Sequence, residues 1–226
     1  MHKTSLPIHS QELHGKPDSS DLAAVCGQRP YKNVIFDCSD TLLHWVAKEY
    51  LCELLDGDAE RAERLHQAIF YSEQWLSFDY GKCTHEENKQ AILAALPPED
   101  RAVADIYLEH WQEHYRVIEG MPEIIDELKS RGIKLYLLSN YSDRFEQCYA
   151  RYELLHRFDG QLISYTVGTG KDDPEFFKML LKKYDLKAEE CIYFDDYPRF
   201  VKVARTLGID GHHFIDAAST RALLGI

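Results

Sequence analysis

Three short apolar runs in this chain each stop abruptly on acidic, hydroxyl or amide residues, and this punctuation constrains the fold more than any other feature. Val34-Ile35-Phe36 breaks into Asp37-Cys38-Ser39-Asp40-Thr41, Ile133 to Leu138 stops at Ser139-Asn140, and Cys191 to Phe194 ends in Asp195-Asp196. An apolar run this short, opening onto a polar loop, reads as a buried strand. Helical stripes lie between such runs. Met121-Pro122 opens one with Ile124, Ile125 and Leu128 on a shared face and Gly132 at its end; Asp143 to Arg157 is a second. Asp173-Pro174 caps a third, carrying Phe177, Leu180, Leu181 and Tyr184. Gln161 to Ser164 reads as a short strand, Arg199 to Leu207 as a helix, His212 to Ile215 as a last strand and Ala217 to Leu224 as a final helix. Strand and helix in alternation predict an α/β fold, a Rossmann-like parallel sheet with helices on both faces.

The stretch from Leu42 to about Ile118 departs from that rhythm. Its apolar residues recur at helical spacing in four groups, from Val46 to Leu55, from Leu65 to Phe70, from Ile92 to Leu96 and from Ile106 to Ile118. This predicts a four-helix-bundle cap inserted after the first strand. The expected division is an N-terminal extension over 1–30, a core from 31–43 and 119–226, and a helical cap over 44–118. The extension carries Pro7, Pro17, Pro30 and scattered polar residues without a sustained period, and its histidines (His2, His9, His14) read as irregular polar tail.

A net charge of −12 excludes a nucleic-acid-coating role, since phosphate neutralisation needs a surplus of Lys and Arg. No apolar run approaches the ~18 residues of a membrane span, and no secretory segment is evident. The six cysteines are scattered, with no CxxC pair, so reduced thiols in a cytoplasm are expected rather than disulfides or zinc. The expected oligomeric state is a monomer or homodimer.

In an open parallel sheet, ligands bind outside the carboxyl ends of the strands. That edge would gather Asp37, Ser139-Asn140 and Asp195-Asp196, with Lys171 arriving from the loop before a helix. Carboxylates bunched at one point repel unless a hard cation neutralises them, and oxygen donors of this kind suit Mg²⁺.

The residues resemble the motifs of the haloacid dehalogenase-like hydrolases. VIFDCSDTL is similar to that family's hhhhDxDxT pattern, LYLLSN to its second motif with Ser139, GKDDPEFF to its third with Lys171, and IYFDDY to its fourth with Asp195 and Asp196. The resemblance covers about residues 31 to 216, and the inserted helices resemble the cap of the dehalogenase and sugar-phosphatase branch. It implies a phosphatase acting on a small phosphorylated metabolite. Asp37 would be the nucleophile, passing through an aspartyl phosphate. Mg²⁺ would be held by Asp37, the Ser39 carbonyl and Asp196, with Asp195 acting directly or through water. Ser139 and the Asn140 N–H would hold a phosphoryl oxygen, Lys171 would screen charge, and Thr41 would brace the loop that aims Asp37.

One departure stands out. The family's phosphatases place an acid/base Asp two residues after the nucleophile, where this chain has Ser39. Asp40, one step on, should point to the opposite side. Losing a positioned acid/base lowers rates by about 10²–10⁴-fold, so a weak phosphatase is expected, or one favouring good leaving groups. The alternatives are a non-catalytic binding or regulatory protein on the same fold, or a 2-haloacid dehalogenase-like hydrolase. The dehalogenases typically carry Tyr where Ser39 stands and lack the later acidic pair. A phosphonate-cleaving relative uses a cap lysine; Lys48 is the one lysine near the start of the cap and nothing singles it out.

The resemblance also places a substrate-facing loop at Tyr80-Gly81-Lys82, with Tyr80 and Lys82 as binding residues. His44, where cap would meet core, is expected to line the cavity and to be a candidate proton donor. Phe70, Tyr71, Trp75 and Phe78 read as cap core, Cys38 as a buried structural thiol, Tyr193 and Phe194 as sheet core. His212-His213 is expected to lie far from the metal and to have no ligand role.

Overall fold

The computed structural model describes residues 31–226; the extension over 1–30 and its three histidines lie outside the described residues. The first half of the described chain runs β1 (Asn33–Phe36), β2 (Leu43–Trp45), α1 (Ala47–Leu54), α2 (Ala59–Phe70), α3 (Glu73–Asp79), α4 (His85–Ala95), α5 (Pro98–His110) and β3 (Tyr115–Val117). The second half runs α6 (Met121–Ser130), β4 (Lys134–Ser139), α7 (Phe145–Arg151), β5 (Gly160–Ile163), α8 (Pro174–Lys183), β6 (Cys191–Asp195), α9 (Pro198–Thr206), β7 (Asp210–His213) and α10 (Ala217–Leu224).

Five strands form one parallel sheet in the order β5-β4-β1-β6-β7, so β1 is central and flanked on both sides. Strand alternation sorts its side chains into two cores. Val34, Phe36, Leu135, Leu137, Ile192 and Phe194 face α6, α10 and the inserted helices in one cluster. Ile35, Tyr136, Leu138 and Tyr193 face the opposite way, against Phe176, Phe177 and Leu180 of α8 and Phe200 and Ala204 of α9. Each such fully buried side chain contributes roughly 1.5–3 kcal/mol. The expected Rossmann-like sheet with helices on both faces is present. Among the described residues, no helix is long and apolar enough to cross a membrane.

The inserted segment is built differently in detail from its reading in sequence. It holds five helices, because Ser72 accepts the Trp75 N–H at 3.1 Å and so starts α3 as a separate element after α2. The last helical group also stops short of Ile118. Tyr115–Val117 is a strand, paired antiparallel with Leu43–Trp45, and this ribbon joins the helices to the sheet. Trp75 and Phe78 pack in the interior as expected, and half-buried Phe70 packs against them, with Trp45 and Trp111 in edge-on ring contacts with it. Tyr71 does not. It is exposed, and its phenol hydrogen-bonds Tyr197 across from the sheet.

Candidate active site

The site begins with register. Phe36 pairs with Leu137 on one side and Phe194 on the other, so the residue after β1 emerges between the ends of β4 and β6. The Asp37 N–H still donates to the Phe194 carbonyl at 2.9 Å, which fixes the backbone as it leaves the sheet. The Asp37 carboxylate is then held on both oxygens. Oδ1 accepts the Cys38 N–H at 2.6 Å and the Ser139 hydroxyl at 2.9 Å, while Oδ2 lies 2.8 Å from Lys171 Nζ.

Lys171 is a long cation with 2% of its surface exposed, placed 2.7 Å from Asp195 Oδ2 as well as against Asp37. Its backbone is fixed by Asn140, whose Oδ1 accepts the Lys171 N–H at 2.9 Å. Gly170 makes this approach feasible, since a Cβ there would fall 2.4 Å from Asn140 Oδ1 and 2.6 Å from the Tyr80 ring. Asp195 is fully buried and saturated, by Lys171, by the Tyr193 hydroxyl and by the Tyr197 N–H at 2.7 Å. Asp196 is not saturated: its Oδ1 is out of solvent without a hydrogen-bond partner.

Asp37, Asp195 and Asp196 bring carboxylate oxygens within 4.8 Å of one another. Burial raises Asp37 to about 6, with Lys171 pulling it back and Asp195 pushing it up. Burial, Asp195 and Asp37 together push Asp196 well above the carboxylate range. Burial opposes the Lys171 charge, yet the Asp195 and Asp37 carboxylates outweigh it and hold the ammonium above its ordinary value. Fully ionised, three carboxylates against one ammonium would leave two negative charges uncompensated, and the upward shifts of Asp37 and Asp196 express that repulsion. The donor set is all oxygen, and one oxygen is orphaned. These residues fit a hard divalent cation.

The loop after β1 disposes the remaining residues. Cys38 points into the core beside Cys148, as expected of a structural thiol, and the Cys148 contact, with burial behind it, pushes it well above the thiol range. Ser39 is half-buried with its hydroxyl 3.3 Å from the Tyr115 phenol. Asp40 takes a left-handed backbone (φ 52°), which turns its carboxylate back to the Trp45 N–H at 3.0 Å and His44 Nδ1 at 2.8 Å. His44 is therefore bonded to Asp40 and not to the acidic cluster. Thr41 is fully buried and its Oγ1 has no hydrogen-bond partner, so packing alone holds it in the loop.

Tyr80 lies against Gly170, with its hydroxyl 3.4 Å from Asp172. Lys82 stands over the Tyr80 ring at 5.2 Å and borders a separate cavity of about 340 Å³ with Glu87, Asp143 and Tyr165. The structure thus gathers Asp37, Ser139, Asn140, Lys171, Asp195 and Asp196, sets Tyr80 beside them, and leaves His44 and Lys82 at the periphery. His213 is nearer than expected, because the β6–β7 pairing brings its Nε2 to 2.9 Å from the Asp196 carbonyl; the ring orients that backbone without offering itself as a ligand. Sequence reasoning also missed Tyr193 as a partner of Asp195. The two-residue strand period puts both on one side of β6.

Comparison with known proteins agrees with this geometry. The family model of haloacid dehalogenase-like hydrolases matches residues 31–208. A sesquiterpene phosphatase of Aspergillus oryzae is 28% identical over 196 residues, covering 84% of this chain and 93% of that protein. A glyceraldehyde 3-phosphate phosphatase of Methanocaldococcus jannaschii is 26% identical over 193 residues, covering 79% of this chain and 82% of its own length. The crystal structure of a Bacteroides thetaiotaomicron HAD family enzyme, in complex with magnesium and inorganic phosphate, superposes with a TM-score of 0.63 at 19% identity, over 82% of this chain and 95% of that one.

Proposed function

Because the chain belongs to the haloacid dehalogenase-like hydrolase family and is a phosphoric monoester hydrolase, we propose that it is a Mg²⁺-dependent phosphatase of small phosphorylated metabolites working through an aspartyl phosphate on Asp37. The observation that carries this reading is the buried Asp37 carboxylate clamped by Lys171 at 2.8 Å beside the orphaned oxygen of Asp196. Helices α1–α5 act as a cap over 44–118 on a core of 31–43 and 119–226.

Mg²⁺ would be held by Asp37, the Ser39 carbonyl and Asp196, with Asp195 behind them, and it would supply charge neutralisation on the phosphoryl group. Asp37 attacks phosphorus in line with the departing alcohol oxygen. The Cys38 N–H and the Ser139 hydroxyl aim it. With substrate present, Ser139 and the Asn140 N–H turn to a phosphoryl oxygen, and Lys171 holds the negative charge spread over nucleophile and phosphate. Preorganised donors of this kind supply most of the acceleration in phosphoryl transfer. The phosphatases of Aspergillus and Methanocaldococcus support a substrate that is a phosphate monoester of a small alcohol.

The test is hydrolysis of p-nitrophenyl phosphate with Mg²⁺ and with chelator. Turnover is expected with the metal only, and Asp37→Asn is expected to lower it by about 10³-fold or more while leaving the fold intact. Equal rates for Asp37→Asn and the unaltered chain would remove the assignment.

A further inference from the structure

Cleavage of a phosphate ester needs a proton on the departing oxygen, and the groups next to the nucleophile do not provide one. Ser39 faces the Tyr115 phenol, which burial holds well above its ordinary range. Asp40 is engaged by Trp45 and His44. The remaining walls of the site include the end of α3, where the inserted helices meet the sheet.

Three consecutive residues sit on the strand ends there. The Asp79 carbonyl accepts the Ser164 hydroxyl, which in turn accepts the Tyr141 N–H at 2.9 Å, tying α3 to the loops that leave β4 and β5. Tyr80 packs on Gly170, the residue before Lys171. Gly81, with φ 63°, approaches so closely that a Cβ would lie 2.4 Å from the Tyr165 carbonyl oxygen. Asp79, the last residue of α3, is half-buried at this junction. The Trp75 side chain, one turn back on α3, hydrogen-bonds its carboxyl, and the Lys171 ammonium acts on it from the sheet. Loss of hydration raises this carboxyl to about 7 against the pull of Trp75 and Lys171, so it is part protonated at neutral pH, as a general acid requires.

We propose that Asp79, carried by the inserted helices, is the general acid and then the general base of this phosphatase in place of Ser39. The assignment rests on the Asp37 phosphatase reading. As an Asp37 oxygen bonds to phosphorus, the bond from phosphorus to the alcohol oxygen breaks with its electron pair on oxygen. That oxygen takes the Asp79 proton and leaves as the alcohol. The Asp79 carboxylate then takes a proton from water as the water oxygen bonds to phosphorus. The bond from phosphorus to Asp37 breaks, inorganic phosphate departs, and both side chains regain their starting forms. Proton delivery then depends on the insertion resting on the sheet, which couples enclosure of the substrate to the chemical step.

The experiment compares phenyl phosphate with p-nitrophenyl phosphate, two esters of similar shape whose leaving groups differ in their need for a proton. Asp79→Asn keeps the side-chain volume and an acceptor for Trp75. In the single-turnover burst of alcohol release, which reports formation of the aspartyl phosphate and not its hydrolysis, it is expected to lose about 100-fold on phenyl phosphate and less than about threefold on p-nitrophenyl phosphate, while steady-state turnover falls on both. Asp79→Glu, with the acid on a longer arm, is expected to move the ratio of the two burst rates in the same direction by a smaller factor, and an unchanged ratio overturns the assignment even where Asp79→Asn does not fold. Equal burst losses on both esters, or none on either, overturn it while leaving the Asp37 reading in place. Absence of any turnover sensitive to Asp37→Asn removes that reading and this assignment together.

Discussion

Lys171 shows how one side chain holds this site together. Its ammonium bridges two buried carboxylates, at 2.8 Å from Asp37 and 2.7 Å from Asp195. Both acids are buried. Truncating one member of a buried ionic group leaves the others uncompensated, which typically destabilises by about 3–5 kcal/mol. Lys171→Met is therefore expected to lower stability to unfolding in urea by that order as well as removing turnover, whereas an exposed pair such as Lys178–Glu175 is worth under about 1 kcal/mol. A loss no larger than that at Lys171 would show that the two carboxylates are already neutral. At this scale sequence is informative about identity and silent about partnership. Asp37, Ser139, Lys171 and the Asp195-Asp196 pair can be picked out because each interrupts or follows an apolar run. That Asp195 is saturated while Asp196 keeps an orphaned oxygen depends on Tyr193, Tyr197 and the turn after β6.

Among elements, the connection from α3 to α4 decides how the insertion meets the sheet. α3 closes with the Tyr80 N–H donating to the Leu76 carbonyl at 3.1 Å, and α4 opens on Thr84 with a full capping box to Glu87, so the loop between them is short and defined at both ends. Gly81 is its contact point. Alanine there would have to adopt a positive φ and clash with the Tyr165 backbone, which cannot yield as a flexible side chain would. Gly81→Ala is expected to destabilise the protein by about 1–3 kcal/mol and to reduce kcat/KM by lifting Asp79 and Tyr80 from the strand ends, visible in thermal melts and steady-state rates. Undiminished kcat/KM would separate this loop from the chemistry. The alternation of strand and helix after residue 119 is legible in sequence because each element obeys its own apolar period. The ribbon of Leu43–Trp45 and Tyr115–Val117 is not, since three-residue strands carry no period and exist only through pairing across the insertion.

Taken whole, the molecule concentrates unbalanced charge at one buried point. Three carboxylates at the ends of β1 and β6 face one ammonium among the described residues, and folding without a cation must bear either their repulsion or the cost of keeping Asp196 protonated. Mg²⁺ is expected to raise the melting temperature. At a hundred times its dissociation constant it adds about 2.7 kcal/mol, which for a domain of this size is roughly 5–10 °C. Asp196→Asn is expected to raise the melting temperature of the metal-free protein and to abolish the response to Mg²⁺. A full Mg²⁺ response in that variant would place the cation elsewhere.

The amino-acid order alone determined which segments become the strands of the main sheet, that these lie parallel under helices, and which polar residues stand at their carboxyl ends, because apolar period and strand termination are local properties. Tertiary structure alone decided which of those residues touch. Strand order put β1 between β4 and β6 and so brought Asp37, Ser139 and Asp195 together across more than a hundred residues of chain. The approach of α3 to the sheet packed Tyr80 on Gly170 and brought the Asp79 carboxyl into the field of the Lys171 ammonium. Burial and charge, which tune every acid in the site, arise only where distant segments exclude water from the same place.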